Sequence, residues 1–509
     1  MKRKTSSKYI NTYLAQTVSI LVRFLSMFVV SPLLASQPAI FGTYMVCMSV
    51  TIFLTYADVG FFSSAQKKAG EAFGRNNIHE EADQIGFAGF ILGIFLVLYI
   101  AGLSACIINP ALVVKNVGLE EARIARTLFT VLALFSPVTI ANRLVGMIFI
   151  VRIEGYISQI QQIVVNTAVI ISALFFFRPG HYDIIGYFLF SNLMQAAALV
   201  FQIIAAALRY RYPFRRLLSA VHFNKRIFNE SRGLAFTAFY NSLCWVLFFE
   251  LDLFVVGRVF GAESAAIFGV AVTITSFFRT LTGGLIFTPF QAQFFQLSAR
   301  EENEPLASLW GRSIILTAPV VVLPILAVFL YLDKLIPVWV GGYYMKSITI
   351  ARLFVLCYIF HFIIIPSNFI LFARERLRNL NIASTVNVFV YWIGIALTFN
   401  KLGLAAFGIF KILGFWFPGA VNIIGVRRIV SGGWWKTARS ILFPLVASAA
   451  VIVFMHLLIN PVLPDSKGRK EMLAVLLATG GTMVTGLSIY CLTCREALQT
   501  VVNALHKGR

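Results

Sequence analysis

The tetrapeptide Ala39-Ile40-Phe41-Gly42 returns as Ala266-Ile267-Phe268-Gly269, an offset of 227 residues. At that offset Tyr13 falls on Tyr240, Val29 on Val256, Ser49 on Ser276, and Arg23 on an acid, Glu250. Each copy joins two long apolar segments, the first pair running from Ile10 to Leu54. Four matching residues in a chain rich in Ile, Phe and Ala are a weak signal alone. Their return at the same place between two apolar segments reads as an internal duplication. Duplicated helical halves around a central site are the architecture of secondary transporters.

The chain has 509 residues, 59% of them hydrophobic and 13% charged, with a mean hydropathy of +0.82. A soluble domain needs a far more charged surface. Runs of about 20 apolar residues, long enough to cross the hydrocarbon core as helices, recur from end to end. The expected fold class is therefore an all-α polytopic membrane protein. The expected spans, each uncertain by several residues, are fourteen: 10–34, 41–65, 85–107, 125–150, 157–177, 184–208, 233–258, 262–288, 311–333, 348–373, 379–399, 404–425, 440–460 and 472–494. The short basic N-terminus precedes an apolar run too long for a signal-peptide core, so the first helix is expected to be uncleaved.

The formal net charge of +22 does not point to nucleic acid, because the basic residues gather in alternate loops. With the N-terminus inside, 27 of the 43 lysines and arginines lie on the cytoplasmic side, against eleven on the other. That bias orients the chain with both ends in the cytoplasm. The longest such loop, residues 209–232, carries seven of them. It is expected to divide an N-terminal lobe (1–208, six spans) from a C-terminal lobe (233–425, six spans), with two more spans and a cytoplasmic tail in 426–509. It serves as a topology anchor, or rests on anionic lipid head groups. The second halves of the two repeats also correspond: Arg152 and Arg374 each end a span and precede a polar turn and a new apolar run. Prolines interrupt several spans, Pro137, Pro319, Pro324, Pro366, Pro418 and Pro444 among them, and are expected to permit kinks.

No loop exceeds about 25 residues, too short for a soluble catalytic domain, and no phosphate-binding glycine loop is present. No catalytic residue, cofactor or metal is expected. Cys491-Leu-Thr-Cys494 has redox or metal spacing but no second pair and no nearby histidine.

Ionisable groups at bilayer depth cost several kcal/mol and usually face a cavity or a partner. Arg23 lies mid-span on a stripe of polar residues: Thr12, Gln16, Ser19, Arg23 and Ser26. Thr51, Thr55 and Asp58 form a similar stripe on the second span, and Ser276, Arg279 and Gly283 share a face of the eighth. Glu250 and Asp252 are about 200° apart on an unbroken seventh helix. Lys411 lines a cavity or snorkels; Arg143 lies two turns inside the fourth span, and Arg352 is expected to snorkel outward. His361 reads as a hydrogen-bonded packing residue more readily than as a proton relay. Five bases (Arg23, Arg143, Arg279, Arg352, Lys411) against three acids (Asp58, Glu250, Asp252) leave a positive interior, which suits an anion. Arginine suits phosphate through two parallel charge-assisted bonds. The rival reading is internal salt bridging, Arg23 with Glu250 for example. Both can hold in a protein that switches between states.

The chain resembles the polysaccharide-transporter, or O-antigen flippase, branch of the multidrug/oligosaccharidyl-lipid/polysaccharide (MOP) exporter superfamily over essentially its whole length. The resemblance rests on Phe41-Gly42-x-Tyr44, Asp58-Val-Gly60 followed by Ser63 to Lys68, Asp252 before Gly257, Trp339-Val-Gly341, and the fourteen spans. It implies two six-helix lobes in a V plus two helices, alternating access, and undecaprenyl-pyrophosphate-linked sugar units passed between leaflets of a bacterial inner membrane. It implies a cationic lumen, with Arg23 and Arg279 matching basic lumen residues by position; the charges inside the spans add Lys411 and Arg143 as substrate-binding candidates, and Glu250, Asp252 and Asp58 for ion coupling or pairing between lobes. The implied partners are the lipid-linked glycan, membrane lipids, and a polysaccharide polymerase with chain-length machinery. Peptidoglycan-precursor flippases carry more arginine on the first helix and after the second span. That cargo, and an ion-coupled multidrug-type exporter, are the alternatives. A membrane-embedded polymerase or glycosyltransferase would need a sizeable external loop.

The orientation is directly testable. A cysteine placed in the 461–471 loop should react with an impermeant thiol reagent from outside the cell, and one in the 209–232 loop should not. The reverse pattern inverts the topology.

Overall fold

The computed structural model of the chain describes residues 2–55, 60–115, 118–299, 303–374, 377–427, 429–430, 434–494 and 499. These residues form helices joined by short turns, with no strand among them. In lipid no water is at hand for backbone N–H and C=O groups, so each segment must satisfy them internally, and a helix does so. Twelve helices are long and apolar enough to cross a membrane, or up to fourteen if each of two bent pairs is one span. The pairs are Lys225–Gly233 with Ala238–Glu250, bent by 63°, and Gly342–Leu356 with His361–Ala373, bent by 43°. They are the expected seventh and tenth spans, so the all-α polytopic fold holds.

The chain divides into two compact units, Met1–Ala266 and Ile267–Arg509. The division falls past the basic segment 209–232, because the next helix packs inside the first unit. Lys68 pairs with Glu230 at 2.9 Å, and Phe61 stacks on Phe228 at 5.6 Å. Farther along, Gly257 meets the Val46 side chain, and Gly42 lies directly against the carbonyl of Ala262. A β-carbon at either glycine would collide, so these positions allow the close helix approach that small residues give in membranes.

Buried polar groups mark the duplication more sharply than the tetrapeptide. In the first unit Glu81, in the first turn of Ile78–Ile108, accepts two hydrogen bonds from Arg152, at 2.7 and 3.0 Å. Arg152 ends the helix Leu119–Val151 and also donates to the Ile148 carbonyl. Its guanidinium lies over Phe73, Tyr210 and Tyr212 at 4.8–5.3 Å. Both charges are buried. In the second unit Arg374, ending His361–Ala373, donates to Asn303, the first residue of Asn303–Trp339, at 2.6 Å. Each pair is separated by 71 residues, and the two arginines have the same backbone conformation, φ −88° and −89°. The clasp is thus present twice, ionic in the first copy and neutral on the acceptor side in the second.

The prolines inside the long helices do not break them. Helices Leu119–Val151 and Asn303–Trp339 run on through Pro137 and through Pro319, Pro324 and Pro337. The interruptions instead include two π-helical segments, Val246–Glu250 and Leu281–Ile286. Such segments insert an extra residue into the ladder and recur at functional sites.

Removing one partner of a buried ion pair strands the other, at about 3–5 kcal/mol; removing a neutral acceptor from a partly exposed arginine costs about 1 kcal/mol. Glu81→Ala should therefore lower the unfolding midpoint of the purified protein in detergent clearly more than Asn303→Ala. Equal losses would mean that charge does not distinguish the two clasps.

Candidate functional site

In the first unit Arg23 lies midway along Lys2–Leu34 and is exposed. Leu14, Leu21 and Leu25 are exposed too, by 60%, 59% and 55%. At 100° per residue they fall on roughly the opposite side of the helix. The helix thus has an apolar open face and, apart from it, an open face carrying a cation. Ser19 is buried next to that polar face, and Gln16 and Ser26 are half-buried. Arg23 makes no hydrogen bond or ion pair with a described residue, Glu250 included.

Glu250 closes the π-helical segment Val246–Glu250 and is half-buried. Asp252 opens the helix Asp252–Phe260 and is 1% exposed. A carboxylate in a first helical turn meets unsatisfied N–H groups and the positive end of the helix dipole. The 200° angle between the two acids presupposed an unbroken α-helix; the π turn alters the phase between them. Arg143 donates to the Leu54 carbonyl at 3.3 Å and lies 4.7 Å over the Phe62 ring. It thereby ties the helix Leu119–Val151 to the short helix Thr51–Thr55. Asp58 lies outside the described residues.

In the second unit Arg279 is the penultimate residue of Ala262–Thr280, directly before the other π-helical segment, and is half-buried. Lys411 is 4% exposed. Its ammonium lies 5.0 Å from the centres of the Phe354 and Tyr391 rings, which come from two other helices. Desolvated contacts of this kind are worth about 2 kcal/mol each, and they turn Lys411 into the helix bundle of its own unit. Each unit thus brings a candidate arginine to a partly open position, while Lys411 and Asp252 are enclosed.

Three arrangements are not apparent from the sequence. Arg152 and Arg374 each end a span as expected, but their partners Glu81 and Asn303, each 71 residues earlier, show only in the fold. Arg352, expected to snorkel outward, faces Asp333 at 3.6 Å and donates to the Phe329 carbonyl at 3.1 Å. Of the two π-helical segments, Val246–Glu250 lies in apolar sequence without a signal, whereas Leu281–Ile286 contains Gly283-Gly284 and precedes Pro289, which could have marked it.

No family model matches the chain, and no curated protein matches its sequence. Solved structures do match. One is the lipid II flippase MurJ in an inward closed conformation, with a TM-score of 0.66 and 13% identity over 97% of this chain and 99% of that one. Another is an inward-facing multidrug resistance MATE family transporter of the MOP superfamily, with a TM-score of 0.68 and 12% identity over 82% and 94%. An outward-facing MATE structure scores 0.57 at 12% identity, over 84% and 96%. At such identities the likeness is one of fold. The chain has the fold found in MurJ and in the MATE transporters of the MOP superfamily.

Proposed function

We propose that this chain is a MOP-type transporter that carries an undecaprenyl-pyrophosphate-linked oligosaccharide across the bacterial inner membrane. The cargo would be the repeat unit of an O-antigen, capsule or exopolysaccharide, passed outward by alternating access. The observation that carries this reading is the exposed Arg23, a cation at mid-helix on a side of its own, away from the apolar face. A charge at that depth serves a polar ligand or a partner, and Arg23 has no described partner. A guanidinium matches a pyrophosphate through paired charge-assisted hydrogen bonds. The likeness in fold to a lipid II flippase over 97% of this chain is compatible with a lipid-linked cargo.

In this reading Arg23 and Arg279 are substrate-binding residues, each within its own unit. Arg143 and Lys411 contribute positive potential from their less open positions. Alternating access requires elements with two arrangements, and the π-helical segments beside Glu250 and Arg279 are suited to supply them. Glu250, Asp252 and Asp58 serve ion coupling or pairing between lobes. Both termini are cytoplasmic, and a polysaccharide polymerase receives the product.

The test is deletion of the gene with analysis of surface glycan and lipid-linked intermediates. Loss of glycan with accumulation of the intermediate is expected; unchanged glycan with sensitivity to cationic drugs would instead indicate the multidrug exporter. A charged hydrogen bond worth about 1.5–3 kcal/mol corresponds to roughly 10- to 100-fold. Arg23→Ala and Arg279→Ala should each reduce export by that factor at normal protein levels, and Arg→Lys should recover only part of it. Wild-type export by both alanine variants would overturn the phosphate role.

A further inference from the structure

His361 occupies the meeting point of two interrupted spans. It is the first residue after the 43° bend that separates Gly342–Leu356 from His361–Ala373. Its Nδ1 lies 3.0 Å from the Thr282 hydroxyl, which belongs to the π-helical segment Leu281–Ile286, three residues beyond Arg279. The Thr282 hydroxyl donates its one proton to the Phe278 carbonyl at 2.8 Å. Its oxygen must therefore accept, and Nδ1 must carry the hydrogen. That assignment leaves the ring neutral with its lone pair on Nε2.

Nε2 is buried and has no hydrogen-bond partner among the described residues. His361 as a whole is 6% exposed. Tyr358 meets its ring edge-on at 4.7 Å, and Phe415 lies tilted against it at 4.8 Å. An unsatisfied buried acceptor costs about 1–3 kcal/mol. A packing role needs no such atom, because a phenyl ring would fill the place without it. What the unpartnered lone pair supplies is basicity.

The charges on neighbouring elements decide what a proton would do there. Arg279 comes from Ala262–Thr280 and Lys411 from Ala405–Val426; the Lys411 carbonyl receives the Cys357 thiol of the bend at 3.6 Å. Thr288–Ala299 carries no ionisable residue. Leu377–Leu402 carries Arg378 and Lys401 near its ends. On Asn303–Trp339 the carboxylates are Glu304 at one end and Asp333 towards the other, the latter facing Arg352 of the helix before the bend; Arg312 and Lys334 are its bases. The mid-bundle charges are thus basic.

We propose that His361 is a proton-binding site that couples proton uptake to rearrangement of the two interrupted spans, which supplies the coupling ion for the transporter reading on which this proposal rests. A proton delivered from water as hydronium forms an N–H bond at Nε2 and leaves an imidazolium against the Tyr358 and Phe415 rings. The rings offer it some stabilisation, but burial opposes the charge, and the carboxylates of the packed helix Asn303–Trp339, Glu304 and Asp333, sit towards its two ends. Protonation therefore favours the arrangement in which the bend opens and Nε2 meets water, a population shift between two states. Deprotonation restores the packed ring and its bond to Thr282.

The experiment reads the hinge without any cargo. Purified full-length protein in lipid nanodiscs is followed by peptide-resolved hydrogen exchange at about pH 7.5 and pH 5.5, the range over which histidine switches. The wild type should show about threefold or greater extra exchange at the lower pH in peptides covering 278–287 and 355–366, after correction for intrinsic rates. His361→Asn, which retains a donor for Thr282, and His361→Gln should lose that extra response while exchanging normally elsewhere. A wild type without the response, or variants that keep it, would overturn the proposal. Should gene deletion leave the surface glycan intact, the cargo reading falls and the exchange result still decides the proton site.

Discussion

No backbone group in the hydrocarbon core has water to turn to, and this constraint governs the rest of the structure. It makes every long apolar segment a helix, and it turns each interruption of a helix into a place where carbonyls and amides need other partners. Those partners are where the polar side chains of this chain are found. Arg143 reaches the Leu54 carbonyl of another helix. Thr282, inside a π-helical segment, bonds the Phe278 carbonyl and His361 together. Asp252 begins a fresh helix just after the other π-helical segment. Polar residues at depth and irregular backbone therefore occur together, for one physical reason.

The same constraint explains why charges are either enclosed with partners or displayed. Glu81 and Arg152 are taken out of solvent as a doubly hydrogen-bonded pair among three aromatic rings. Lys411 is enclosed between Phe354 and Tyr391. Arg23 alone of the sequence candidates is classed as exposed among the described residues, and Arg279 is half-open beside a π-helical segment. A ligand with two phosphates is the kind of molecule that such exposed guanidinium groups suit. The enclosed charges contribute field and rigidity.

The two copies of the repeat have diverged unequally. The clasp at the ends of corresponding helices is a buried ion pair in the first unit and an arginine–asparagine hydrogen bond in the second. An uncharged acceptor gives the second clasp less to lose on opening. The second unit also holds one π-helical segment, one 43° bend and the histidine that joins them. The first unit holds one π-helical segment and a 63° bend of its own.

Much of this was legible in the residues alone. Hydropathy determined the all-α membrane fold, and the span count agrees with the upper number in the structure, because a helix long enough to cross lipid needs a continuous apolar run. The Ala-Ile-Phe-Gly repeat revealed the duplication, and periodicity placed Arg23 on a polar stripe, since a regular helix sets direction by spacing. What depends on contact between distant segments was not legible. The prolines singled out as kink sites lie in helices that run on through them, while one π-helical segment instead falls at Gly283-Gly284. Arg152 ends a span by its sequence position; only the fold brought Glu81, 71 residues away, to within 2.7 Å. Lys411 could line a cavity or snorkel by its sequence position; only the packing of three helices enclosed it between two rings. Sequence periodicity determined which side chains share a helix face, and tertiary structure alone decided what each face meets, because burial is a property of the neighbours a segment acquires.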